Sequence, residues 1–209
     1  MKFISLFLLL TSILSATEIP NQIHIKGIPH PLEWVIEPTA FEQTSSTIEI
    51  TAGPHTNMFY APHGYFHVSN MPKLLFTPSG DFALQTKAYT EHKSKWEAAM
   101  LVVYIDENYW AKLCFENQEP GIQRMVSVVT NKISDDAYSD IVKGNTIYMR
   151  VSKKGKEIQF SYSKDGENWV GIRYFRLNSD KPLKVGFSSQ SPIGEGLKSS
   201  FSEIQYREE

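Results

Sequence analysis

The chain has 209 residues, 41% hydrophobic and 12% aromatic, which is enough apolar material for one sizeable core. A formal net charge of −2 leaves no electrostatic footprint for nucleic acid or an anionic membrane surface. The single cysteine, Cys114, excludes an internal disulfide, so stability has to come from packing alone.

Residues 1–16 differ in character from everything after them. Lys2 precedes an apolar run at 3–14 that is too short to span a bilayer, followed by Ser15 and Ala16. This pattern predicts a secretory signal peptide cleaved after Ala16, and hence a secreted or periplasmic protein with no membrane association after cleavage. Residues 17–31, carrying Pro20, Gly27, Pro29 and Pro31, read as a connector, and 32–209 as the folded domain.

The domain reads as short strands separated by turn signals. Candidate strands lie at 32–36 and 47–51, and the stretch 53–70, rich in Gly, Pro, His and aromatic residues, is expected to be a long binding-type loop with at most short strands. The run 81–90 alternates, with Phe82 and Leu84 on one side and Gln85, Lys87 and Tyr89 on the other. Three β-type runs follow at 98–105, 109–116 and 124–130. In the middle one Trp110, Lys112, Cys114 and Glu116 point one way and Ala111, Leu113 and Phe115 the other. Residues 131–143 are expected to be a loop. Further strands are predicted at 145–152, 156–163, 168–177, 183–189 and 200–206, the Asp165-Gly166 pair marking a hairpin. About a dozen such strands, with no long helical periodicity, predict an all-β fold: a two-sheet antiparallel jelly-roll sandwich.

Five stretches occur together in an order that is characteristic: EWVIEP (33–38), DFALQTKAY (81–89), IDENYWAKLCFEN (105–117), VSVVTNKISDD (126–136) and FSYSKDGENW (160–169). With them the chain resembles the regulation-of-enolase-type family, a domain of unknown function with a concanavalin A-like lectin/glucanase fold. The resemblance covers roughly residues 32–206. It implies a jelly roll with one curved sheet forming a concave face, and by analogy with lectins of that architecture it suggests carbohydrate binding.

The expected binding face combines Lys87, Tyr89, Trp110, Lys112, Glu116, Tyr148 and Arg150. Sugars offer apolar C–H patches flanked by hydroxyls, so Trp110 would serve as platform and Lys112, Glu116 and Arg150 as polar contacts, with Tyr60, His63 and Tyr65 at the rim. The competing reading is a solvated cross-strand charge network. A glycan-active hydrolase or lyase built on Glu116 and a loop acid is the catalytic alternative, although the E-x-D-x-x-E strand motif of glucanases with this fold does not occur. No cofactor is expected. Asp135 and Asp136, with Asp140 near, are the alternative for a structural calcium, weighed against a solvated Asp turn. The partners to be tested are therefore carbohydrate, in a non-catalytic lectin-like role, or a partner protein in a regulatory one.

Overall fold

Residues that alternate in the sequence alternate in burial. In Thr47–Ala52 the side chains of Ile48, Ile50 and Ala52 are buried, and in Thr146–Lys154 those of Ile147, Met149 and Val151. This is the period of a strand with one face on a core. The computed structural model describes residues 19–209, and every regular element there is a strand. The signal-peptide stretch lies outside the described residues.

One sheet has eight strands, in the order β1 (Gln22–Ile23), β2 (Leu32–Ile36), β7 (Lys73–Phe76), β16 (Lys184–Gln190), β9 (Ala98–Asp106), β10 (Tyr109–Glu119), β11 (Ile122–Asn131) and β12 (Ile133–Val142). The other has seven: β15 (Trp169–Phe175), β14 (Glu157–Ser163), β13 (Thr146–Lys154), β8 (Phe82–Thr90), β17 (Leu197–Glu208), β4 (Thr47–Ala52) and β3 (Ala40–Gln43). All pairings are antiparallel, and the sheets face each other as the expected jelly-roll sandwich. The core between them takes Leu113 and Phe115 of β10 and Phe187 of β16 from one side, and Leu84, Met149, Phe160 and Phe201 from the other.

A third element decides where a site can form. The hairpin β5 (Met58–Tyr60) and β6 (His67–Ser69) lies on the outer face of the eight-stranded sheet. A second apolar cluster fills the space beneath it: Met58, Tyr60 and Met71 against Leu75, Ala98, Met100, Val102, Trp110, Cys114, Val126 and Val128. β10 is thus buried on both faces. Tyr60 pins the roof: its N–H donates to Ser134 Oγ at 2.9 Å and its hydroxyl to Glu107 Oε2 at 2.7 Å.

Two expectations are corrected, and one strand joins those expected. The stretch 17–31 is not a mere connector, because β1 pairs with β2 and Ile23, Ile25 and Ile28 are buried in the core. Residues 131–143 are not a loop but contain the edge strand β12, whose Ser and Asp content reflects an edge kept polar. Lys73–Phe76 is a strand buried along its whole length, too short to show a period.

Gly186 of β16 sets how closely β7 approaches: a Cβ there would stand 2.1 Å from the Leu74 carbonyl oxygen. Gly186→Ala is expected to lower stability by about 1–3 kcal/mol through overpacking against backbone, read as a lower denaturation midpoint with an unchanged m-value.

Candidate ligand-binding site

Between the roof and the sheet lies a cavity of about 560 Å³. Strand register builds its floor. Lys112 of β10 pairs with Val102 of β9 and Val128 of β11, while Glu116 pairs with Ala98, which pairs with Gln190 of β16. Lys112, Glu116, Val126, Val128 and Gln190 all line the cavity. Phe59, Phe66, Trp96 and Tyr138 contribute aromatic walls.

Lys112 is 2% exposed, and its ammonium donates to Gln190 Oε1 at 2.8 Å. The Gln190 amide is held in turn, its Nε2 donating to the Trp96 carbonyl at 2.9 Å. Among the described residues, no ion pair involves Lys112. Burial pushes the Lys112 pKa down, opposed by Cys114, Glu116 and Asp136. Burial pushes Glu116 up to about 7, with Lys112 opposing the rise and Asp136 adding to it. Burial also pushes the Cys114 thiol up to about 12, which leaves it a neutral filler rather than a nucleophile.

Trp96 is 41% exposed and has φ 64°, a left-handed conformation costly for a bulky residue. Its neighbours impose it. The Trp96 N–H donates to the Asn117 carbonyl at 2.7 Å, and its carbonyl receives Gln190. Buried Glu97 then ties the two flanking loops together: its Oε2 accepts the N–H groups of Lys93 and Ser94, and its Oε1 the Ser191 hydroxyl at 3.0 Å. His55, also on the cavity wall, has φ 57°.

The expected binding face is therefore divided. Lys112, Glu116 and His63 line the cavity. Trp110 faces the same side but is fully buried, with Tyr60 packed edge-on at 5.6 Å, so neither ring is a platform. Tyr65 stands 94% exposed at the hairpin tip, stacked on His63 at 5.6 Å, outside the cavity. Lys87, Tyr89, Tyr148 and Arg150 belong to β8 and β13 of the other sheet. There Lys87 pairs with Glu203 at 3.4 Å, the Arg150 guanidinium lies 3.5 Å from the Trp169 ring centroid, and Gln85 accepts two of its N–H groups.

The candidate calcium ligands also separate. Asp135 pairs with Arg173 of β15 at 3.0 Å, whereas Asp136 turns to the cavity rim, as neighbours on a strand must. Among the described residues no group of three His, Cys, Asp or Glu could hold a metal ion.

Sequence reasoning missed Trp96 and Gln190. Trp96 precedes a strand and has no alternation partner, while Gln190 ends one. No local signal marks either as part of a site.

The chain is 25% identical over 174 residues to "Regulation of enolase protein 1" of Saccharomyces cerevisiae, covering 81% of this chain and 86% of that protein. A crystal structure of a functionally unknown protein from the same yeast superposes with a TM-score of 0.77 at 23% identity, over 85% of this chain and 96% of the other. The GH43 protein BlXynB of Bacillus licheniformis gives a TM-score of 0.67 at 13% identity, over 84% of this chain but 36% of that one, which shows a shared sandwich and no more. Residues 34–209 match the family described as "Protein of unknown function (DUF1349)", and the chain belongs to that family.

Proposed function

We propose that the domain is a non-catalytic carbohydrate-binding module acting outside the cytoplasm, with the roofed cavity as its sugar site. The cavity itself carries the reading. Its volume falls in the ~300–1,000 Å³ range of small-molecule sites, and it joins aromatic walls to a few convergent polar groups. A sugar needs both, since its C–H faces stack on rings while its hydroxyls require fixed donors and acceptors. Trp96 takes the platform role, and Lys112, Gln190 and Glu116 the polar one. Similarity to a GH43 protein, of a class that includes glycoside hydrolases, is consistent with a carbohydrate ligand. Export follows from the pattern of residues 1–16.

Glu116 has a consequence that needs no ligand. A carboxyl whose folded pKa is raised stabilises the fold fully below its unfolded value of 4.5, and that contribution is lost as pH rises through about 7. Glu116→Gln removes this titration and leaves the rest of the pH profile in place.

On a glycan array, and by calorimetry with the oligosaccharides it retains, the wild type is expected to bind. Trp96→Ala should weaken binding about 10-fold, an aromatic contact being worth ~0.5–1.5 kcal/mol beyond its area. Arg150→Ala, on the opposite sheet, should leave affinity unchanged. Release of new reducing ends that disappears in Glu116→Gln would make the domain a hydrolase and overturn the non-catalytic reading. Melting curves at pH 5 and pH 8 should show the wild type losing up to ~3 kcal/mol more across that interval than Glu116→Gln. N-terminal sequencing of exported protein should begin at Thr17, and a start at Met1 would remove the export assignment.

A further inference from the structure

We propose, building on the carbohydrate-binding reading, that the cavity selects an acidic sugar, a hexuronate residue whose carboxylate seats on the Lys112 ammonium. The floor of the cavity holds a buried cation with an incomplete set of partners. An ammonium has three N–H donors. Lys112 uses one of them, on the neutral Gln190 amide, and has no carboxylate in ion-pair contact among the described residues.

Other lysines show what a completed environment looks like here. Around a second cavity, of about 300 Å³, Lys153, Lys156 and Lys181 each pair with an aspartate, at 3.3, 2.6 and 2.8 Å. Lys73, fully buried beneath the roof, lies 5.7 Å from the Tyr104 ring centroid, donates to the Met71 carbonyl, and feels the charge of Glu107. Lys112 alone among these turns a buried, unpaired ammonium into a cavity that a ligand can enter.

Burying a charge without a counter-ion is costly, and a methionine of similar length would fill the same space without that cost. An anion entering from outside offsets the penalty. The surrounding groups leave room for one. Glu116 is the second buried group on the floor; burial favours its neutral form up to near pH 7, in which its O–H donates to an anionic oxygen. Asp136 and Tyr138 of β12 sit at the exposed rim, as do His55 and His63 on the roof side. The Asp136 carboxylate is felt at Lys112 and Glu116, and its exposure lets solvent weaken that field at the rim. Arg124 of β11, over the Tyr138 ring at 5.8 Å, adds positive potential at the same end. A planar carboxylate on a stackable ring, the two parts of a uronic acid, matches a deep ammonium below the Trp96 platform. A bare phosphate or a fatty acid matches only one part.

The test is calorimetry on the full domain with two probe pairs: oligogalacturonate against its methyl ester, and a glucuronate-substituted xylo-oligosaccharide against the unsubstituted one. At pH 6 the wild type should bind at least one acidic probe 10-fold or more tighter than its neutral partner. Lys112→Met, which removes the charge and keeps the volume, should fold with an equal or higher melting temperature. It should lose the preference, the acidic and neutral members of each probe pair then binding alike. Neutral probes bound as well as or better than acidic ones by the wild type would overturn the inference and leave the carbohydrate reading standing. A preference that survives Lys112→Met would overturn the assignment to Lys112. Binding of none of the four probes, nor of any glycan on the array, would overturn both.

Discussion

The structure depends on one constraint: the central strands of the eight-stranded sheet are apolar on both sides, and the second side has to be covered. β10 contributes Leu113 and Phe115 to the inter-sheet core and Trp110 and Cys114 to the opposite face. A solvated outer face would expose Trp110, Met100, Val102 and Val126 together, a contiguous patch of the kind that soluble proteins seldom leave open. The β5–β6 hairpin answers this by laying Met58 and Tyr60 over the Trp110 end. The roof is only three residues per strand, so it seals one end and leaves Lys112 and Glu116 beneath open space at the other. The cavity is the part of the buried outer face that the hairpin is too small to fill.

The same cover explains the electrostatics. A lysine and a glutamate two strand periods apart, about 13 Å along an exposed strand, would scarcely feel each other in water. Under the roof, burial dominates both groups and drives each toward its neutral form, Glu116 upward and Lys112 downward. At the sealed end the protein neutralises its own charge. Burial works against ionised Glu107 there, but hydrogen bonds from Tyr60 and Tyr104 and the field of Lys73 help hold it below the ordinary carboxylate range. Two neighbouring regions of one face thus treat buried charge in opposite ways.

Parity was legible in the sequence, and sheet membership was not. The alternation of Trp110, Lys112, Cys114 and Glu116 against Ala111, Leu113 and Phe115 places every one of those side chains on its observed side. Nothing local says that β8 and β13 pair with each other in the second sheet, so Lys87, Tyr148 and Arg150 looked like companions of Lys112 although the whole core lies between them. Nor does a strand pattern say how deep a residue lies: an outward Trp110 reads as a platform until a loop from residues 53–70 is seen resting on it. Edge strand β12 was illegible for the converse reason. Its polar residues serve its exposure as an edge, and they mimic a turn.

The residue that takes over the aromatic role shows why binding sites escape strand-based reasoning. Trp96 sits in a left-handed backbone conformation that its own side chain disfavours, so its position is determined from outside by Asn117, Gln190 and, one shell further, Glu97. Those contacts come from β10, β16 and the loops before β9 and after β16, elements far apart in the chain. Strain held by a surrounding network is a means of fixing a side chain before a ligand arrives, which reduces the ordering cost of binding. Gln190 belongs to both halves of this device, because one end of its amide fixes the Trp96 backbone and the other points the Lys112 ammonium. The Trp96 backbone and the Lys112 ammonium are thereby tied to a single side chain, and in the proposed reading a ligand that reaches both has to span the distance that Gln190 sets.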